Sequence, residues 1–277
     1  MALRNNMKLI ALITLLLVAN HSFGQDKVLK IDSLLTSLYN NGNFDGNILI
    51  AEKGEVIYKK SFGFSSEITK EKLDENSIFE LASVSKQFTA MAIVILKEKG
   101  KLSYDESISK YIPELSCYSN VTIRNLLNHT GGLPDYMEVM DSTFDKNTIA
   151  TNDDIIKTFS MLKTPVLFEP NEKWVYSNTG YALLASIIER VSGMSFGDYL
   201  QDAIFKPLQM TNTFVYRRRF APQKVSNYAY GYVYSDILKK YLLPDDLEET
   251  KMVLWLDGIV GDGTVNSTIN DLLKWDR

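Results

Sequence analysis

Gly46-Asn47-Ile48-Leu49-Ile50-Ala51 and Val56-Ile57-Tyr58 flank the polar loop Glu52-Lys53-Gly54-Glu55, and this hairpin constrains the fold more than any other segment. Two strands alone are marginal in water. The hairpin therefore implies further strands, yet none of conviction follows before Arg277. The rest reads as mostly helical.

Residues 27–40 place Val28, Ile31, Leu34, Leu35 and Leu38 at helical spacing, and Asn41-Gly42 ends them. From Ser83 onward Phe88, Met91, Ala92 and Ile95 share a face, with Gly100 as the stop. Thr122–Asn128 is a short helix, Thr151–Leu162 opens on a Thr-x-x-Asp cap, and Tyr181–Val191 closes at Gly193. Ser195 caps the next helix with Asp198 three residues on. Arg217–Val260 is an irregular excursion rich in tyrosine and packed on the body. The expectation is an α/β (α+β) fold: an N-terminal helix and strand pair, then a mostly helical domain.

Chemistry concentrates at Ser83-Val84-Ser85-Lys86, with Tyr176-Ser177-Asn178 further along. Neither pattern suffices alone. Ser107-Ile108-Ser109-Lys110 and Ser160-Met161-Leu162-Lys163 match the first, and Tyr39 and Tyr118 also begin a Tyr-x-Asn. Context separates them. Ser83 opens its helix, so Lys86 faces the same side and the helix N-terminus favours negative charge there. Ser160 falls at a helix end, where the dipole has the opposite sign. Ser107 lies in a polar stretch running into Pro113.

Phe79-Glu80-Leu81-Ala82-Ser83-Val84-Ser85-Lys86-Gln87-Phe88-Thr89-Ala90 closely resembles the nucleophile segment of the serine β-lactamase and penicillin-binding protein family, especially its class C-like branch of esterases and DD-peptidases. Three later blocks look like that family too. They are Leu126-Leu127-Asn128-His129-Thr130-Gly131-Gly132-Leu133-Pro134, then Phe168-Glu169-Pro170 through Trp174–Tyr181, then Gly261-Asp262-Gly263 through Trp275. The resemblance runs from about residue 30 to the end and implies a β-lactamase/transpeptidase-like fold. It implies acyl transfer through an acyl-serine intermediate, followed by hydrolysis, on a β-lactam, a D-amino-acid peptide or an ester. Tyr-Ser-Asn points to the class C-like branch, since class A enzymes use Ser-Asp-Asn with a Glu-x-x-Leu-Asn element that this sequence does not show. No metal or organic cofactor is implied.

On that resemblance Ser83 is the nucleophile and Lys86 and Tyr176 share its proton. A serine hydroxyl needs a neighbouring base, while free lysine and tyrosine both titrate near about 10. Burial opposes the ammonium, and a nearby cation favours phenolate, so the pair can exchange a proton. Asn178 would hold Lys86 and a substrate amide, and the Ser83 backbone N–H would be the first oxyanion donor. The family's third element, a cationic Lys or His followed by x-Gly on a strand, is expected after Asp271–Trp275 and supplies the second donor. The expectation is therefore a fragment of a longer protein, or else a truncated product with little activity. Two rival readings stand beside it: a carboxylesterase on the same scaffold, and a non-catalytic binding protein.

Gly193-Met194-Ser195-Phe196-Gly197 fits the elbow of α/β-hydrolases, but that elbow needs a preceding strand and a later histidine. His129, the last histidine, precedes Gly-Gly-Leu-Pro and reads as a turn residue held by hydrogen bonds.

Arg4 and Lys8 precede the apolar run Leu9–Ala19, and Ser22 and Gly24 fit a cleavage site before Gln25, so residues 1–24 read as a secretory signal. The run is too short to span a bilayer. Met7 is an alternative start. Export implies a periplasmic or secreted protein with no membrane attachment after cleavage. The mature chain has 28 basic and 34 acidic residues, which gives nucleic acid no handle. The expected partner is a small-molecule, peptidoglycan-like or ester substrate. Cys117 is the one cysteine, so it forms no internal disulfide and is expected to be buried as a small apolar side chain. The expected organisation is 1–24 signal and 25–277 incomplete domain, the latter divided into 25–80, 81–216 and 217–277.

Overall fold

A computed structural model of the chain describes residues 26–277; the expected signal lies outside the described residues. The described chain divides into two compact units, one running through Glu75 and the other spanning Asn76–Arg277.

In the first unit residues 26–40 form helix α1. Strands β1 (Gly46–Glu52) and β2 (Glu55–Phe62) pair antiparallel, with a register shift between Ile50 and Ala51. The turn is Lys53-Gly54, both at positive φ. A second small pair, β3 (Phe64–Ser66) with β4 (Glu71–Lys72), follows. The β1–β2 sheet has two strands, and α1 packs against it. Leu35, Tyr58 and Phe62 form a buried cluster with Val28, Ile31, Leu38, Ile48 and Ile50 against it. Packing on a helix is the other way a hairpin gains stability. Asp32 of α1 fastens the two, accepting from the Tyr58 hydroxyl at 2.9 Å and the Lys60 ammonium at 2.6 Å.

The second unit is mainly helical around one core. Strand β5 (Ile78–Glu80) runs into a 3₁₀ turn, Ala82–Ser85, and then helix α2 (Lys86–Glu98). Helices α3 (Ile123–Leu127), α4 (Tyr136–Asp141), α5 (Asn152–Leu162), α6 (Asn178–Ser192) and α7 (Phe196–Leu200) follow. Local chemistry sets their ends. Thr122 with Asn125 and Thr151 with Asp154 form capping boxes, Ser195 caps α7, and Gly193 closes α6 in the left-handed conformation. Helix α6 is buried nearly all round, from Thr179 to Ile188, so it is the central pillar. In α2 the buried face is Phe88, Ala92, Ile93 and Leu96; Met91 is exposed, a correction to the expected face.

The expected lack of strands is also corrected. Strands β6 (Phe214–Val215), β7 (Tyr228–Ala229) and β10 (Val265–Ser267) join β5 in a sheet of order β6-β10-β5-β7. Strands β8 (Val233–Ser235) and β9 (Lys240–Leu242) make a hairpin inside the tyrosine-rich excursion. Helix α8 (Met252–Trp255) ends that excursion, and α9 (Ile269–Asp276) follows β10. Cys117 is exposed rather than buried. It lies in the 3₁₀ turn Pro113–Tyr118, whose three-residue repeat turns Leu115 and Tyr118 inward and leaves Cys117 outside. Among the described residues no helix is long and apolar enough to cross a membrane.

Candidate active site

Ser83 is exposed at the second position of the 3₁₀ turn, and Lys86 begins α2 directly after it. The turn is held from the sheet side. Leu81 N–H donates to Val265 O at 2.9 Å, and the buried Ser85 hydroxyl accepts from Val265 N at 3.1 Å. Ala82, at φ 46°, makes the bend that lifts Ser83 out of the strand direction.

Lys86 is 7% exposed, so its ammonium needs acceptors, and it has three. Nζ donates to Ser83 Oγ at 3.3 Å, Asn178 Oδ1 at 2.9 Å and the Asp262 carbonyl at 2.8 Å. The Tyr176 hydroxyl lies 2.8 Å from Ser83 Oγ, and Lys86 Nζ sits 4.8 Å from the Tyr176 ring centroid. The four expected site residues, Ser83, Lys86, Tyr176 and Asn178, thus converge at hydrogen-bonding reach.

The competing motifs are placed elsewhere. Ser107 accepts from the Ser109 N–H at 3.2 Å as a cap, while Lys110 pairs with Glu106. Ser160 lies near the C-terminal end of α5. Ser195 Oγ accepts from Asp198 N at 3.2 Å and follows helix α6, not a strand. His129 has φ 59°, and its Nδ1 accepts from Ser177 N–H at 3.1 Å. Its ring lies 4.7 Å from that of Tyr176 and 5.1 Å from that of Tyr181, so it shapes the wall behind the tyrosine. Burial, then the Lys86 cation, pushes the imidazole below its ordinary range.

Reasoning from sequence missed three contributors. Asp135 Oδ2 accepts from Asn178 Nδ2 at 3.0 Å. Asp262 supplies a carbonyl to Lys86, and its carboxylate accepts from the Tyr136 hydroxyl at 2.8 Å. Burial raises the Asp262 carboxyl, while the Lys86 charge and the Tyr136 bond oppose that rise. Burial first, and Asp262 next, push the Tyr136 phenol upward. Asp135 directly follows Gly-Gly-Leu-Pro and Asp262 is the middle residue of Gly-x-Gly, turn signals that mark where the chain comes close to the helices. An open cleft of ≈ 300 Å³ shares Tyr136 and Asp262 with the site and is also lined by Glu80, Tyr228 and Tyr230. Among the described residues no cluster of His, Cys, Asp and Glu is arranged to hold a metal ion.

A hydroxyl, a phenol and an amine meeting without an imidazole base form the constellation of serine acyl-transfer chemistry. Residues 34–277 match the family described as Beta-lactamase, and the chain belongs to that family of serine hydrolases, with its β-lactamase/transpeptidase-like α/β fold. It is 48% identical over 253 residues to penicillin-binding protein 4* of Bacillus subtilis (strain 168), covering 91% of this chain and 56% of that protein. The octameric penicillin-binding protein homologue from Pyrococcus abyssi superposes with a TM-score of 0.73 at 28% identity, covering 89% of this chain and 55% of the other. D-amino acid amidase from Ochrobactrum anthropi SV3 gives 0.62 at 27% identity, covering 82% and 62%. The chain spans about half the length of the Bacillus relative.

Proposed function

We propose that the protein is an exported serine hydrolase that forms an acyl-Ser83 intermediate with a β-lactam, a D-amino-acid peptide or an ester and then hydrolyses it. The observation behind this reading is the position of Ser83 Oγ, 2.8 Å from the Tyr176 hydroxyl and 3.3 Å from Lys86 Nζ. Similarity to a penicillin-binding protein and to a D-amino acid amidase supports the substrate class.

In acylation Ser83 Oγ bonds to the acyl carbon, and its proton passes to the Tyr176–Lys86 pair, which reacts in the form lacking one proton. The Ser83 N–H, in the first turn of its helix and so without a partner inside it, faces the developing oxyanion. The pair then returns the proton to the leaving group as the tetrahedral intermediate collapses. Water repeats the sequence in deacylation, with Ser83 as the leaving group. Asn178 holds Lys86 through Oδ1 and offers Nδ2 to a substrate carbonyl. Each step uses groups already within reach, without an added cofactor.

The test is labelling of the full-length protein with a fluorophosphonate and with a fluorescent penicillin. Labelling that disappears in Ser83→Ala supports covalent catalysis. Absence of labelling in the wild type favours a binding protein that retains the cleft, and fluorophosphonate labelling without penicillin labelling favours the esterase. Export is checked separately by N-terminal sequencing of protein recovered outside the cytoplasm, with Gln25 expected first.

A further inference from the structure

Tyr176 has to keep its hydroxyl on Ser83, yet its own segment offers little to hold it there. The side chain is exposed, and residues 173–177 form no regular structure before α6 begins at Asn178. A small rotation of that backbone would carry the phenol away from its 2.8 Å approach to Ser83 Oγ.

His129 supplies the hold, and it does so in three ways. Its carbonyl accepts from Val175 N–H at 3.0 Å, and its Nδ1 accepts from Ser177 N–H at 3.1 Å. The residues on either side of Tyr176 are thus tied to the same histidine. Its ring also lies on the phenol ring, 4.7 Å between centroids and 30° between planes. The same imidazole rests on the buried Tyr181 of α6 at 5.1 Å and 32°. His129 is anchored in turn at the end of α3, where its N–H donates to Leu126 O at 3.4 Å and Thr130 N–H donates to Asn125 O at 2.9 Å.

An imidazole makes this hold depend on one proton. Nδ1 accepts only while it carries no hydrogen, because both nitrogens of an imidazolium are donors. Protonation would set N–H against N–H at Ser177. It would also add a second cation at the Tyr176 ring, where Lys86 Nζ already stands 4.8 Å from the centroid. Lys86 faces the imidazole from α2, Trp174 and Tyr176 from the segment before α6, and Tyr181 from α6. None of these four is a carboxylate that would balance the added charge.

We propose that His129 is a positioning residue for Tyr176: its carbonyl, Nδ1 and ring together hold the phenol on Ser83, and a proton on Nδ1 releases it. This rests on the serine hydrolase reading and adds a second ionisation to acylation. His129 acts through Tyr176 and takes no part in the proton transfer itself.

Two experiments on the full-length protein test it, both reading the rate at which a fluorophosphonate labels Ser83. The first is a double-mutant cycle at pH 7.5. His129→Gly suits the positive φ and removes both Nδ1 and the ring. It is expected to slow labelling by about 10-fold to 100-fold when Tyr176 is present. With Tyr176→Phe already made there is no hydroxyl left to position, and the same change is expected to cost only about twofold. Equal losses in the two backgrounds would make His129 a structural residue and overturn the proposal. The second experiment uses His129→Asn, whose Oδ1 takes the place of Nδ1 as acceptor and does not titrate. Log rate is plotted against pH from 8 to 4.5. Below the ordinary histidine range the wild-type slope is expected to exceed that of the variant by one proton. Slopes that match overturn the proposal and leave the serine hydrolase standing. A wild type that the fluorophosphonate does not label removes both readings together.

Discussion

Ser83 is exposed while Lys86 is buried, and that asymmetry divides the work: the nucleophile meets substrate, and the amine stays behind it on Ser83, Asn178 and Asp262. Lys86→Ala should lower the rate of Ser83 acylation by about 10²–10⁴-fold, the usual worth of a general base. Tyr176→Phe removes the hydroxyl 2.8 Å from Ser83 Oγ and should slow acylation on the same scale. Stopped-flow acylation by a chromogenic β-lactam or an activated ester checks both, and a wild-type rate in either variant removes that residue from the proton path. His129 makes a different prediction. Its folded value is depressed, so its contribution to stability is present above the ordinary histidine range and is lost as pH falls through the folded value. His129→Asn keeps an acceptor for Ser177 N–H and suits the positive φ. Thermal unfolding at pH 7.5 and pH 5 should show a larger loss in the wild type than in the variant; equal losses would remove His129 as the acid-sensitive group. Ser83, Lys86, Tyr176 and Asn178 were legible in sequence because each stands in a patterned segment. Asp135 and Asp262 were not, because their partners lie 43 and 126 residues away. Cys117 was misread because a single cysteine carries no periodicity, and the 3₁₀ turn that exposes it has only local contacts.

The site exists because one loop is pressed between helices. Thr89 of α2 donates to Gly261 O at 2.7 Å, and Asn152 of α5 exchanges hydrogen bonds with Val260. These contacts deliver the Asp262 carbonyl to Lys86. Gly261 has φ 103°, and a Cβ there would stand 2.4 Å from Tyr181 O and 2.5 Å from Ala185 Cβ. Gly261→Ala should therefore push the loop off α6, destabilising the fold by about 1–3 kcal/mol and lowering acylation by about tenfold or more as Lys86 loses an acceptor. Urea unfolding and acylation rates check it, and a neutral result in both would show that the loop has room to move. At this scale the helices were legible, since apolar spacing and caps such as Thr151 with Asp154 are local signals. Strands of two or three residues cannot display alternation, and β5, β6, β7 and β10 owe their existence to partners far along the chain. Likewise α6 begins at Asn178, earlier than apolar spacing alone places it, because Ser177 accepts from Gly180 N–H as the cap.

Across the larger unit the excursion from Arg217 to Val260 has little regular structure to hold it, and charge takes over that task. Arg219 donates to both oxygens of Asp245, at 2.6 and 2.8 Å, and to Asp257 at 2.9 Å. Arg218 adds a 2.6 Å contact to Asp245. The Asp257 side chain is 7% exposed and also accepts from the N–H groups of Arg219 and Phe220. Such a cluster adds little over an apolar substitute but costs heavily when one partner is removed, because the remaining charges stay buried. Arg219→Ala should thus destabilise the protein by about 3 kcal/mol, the lower end of the usual range, since Asp257 keeps its two backbone donors. The pH dependence separates this from lost packing. Arg219 first, and Arg218 after it, hold the Asp245 carboxyl down to about 2, below the ordinary aspartate range. A depressed carboxyl stabilises the fold above its unfolded value, and that contribution fades as pH falls through the folded one. The gap between wild type and Arg219→Ala should therefore be full above pH 4 and narrow toward pH 2, because a protonated Asp245 no longer needs the guanidinium. Urea titrations at pH 7, 4 and 3 give the three points required. A gap that is constant across them would mean that Arg219 acts through the packing of its stem, and that the excursion is held by its tyrosines instead.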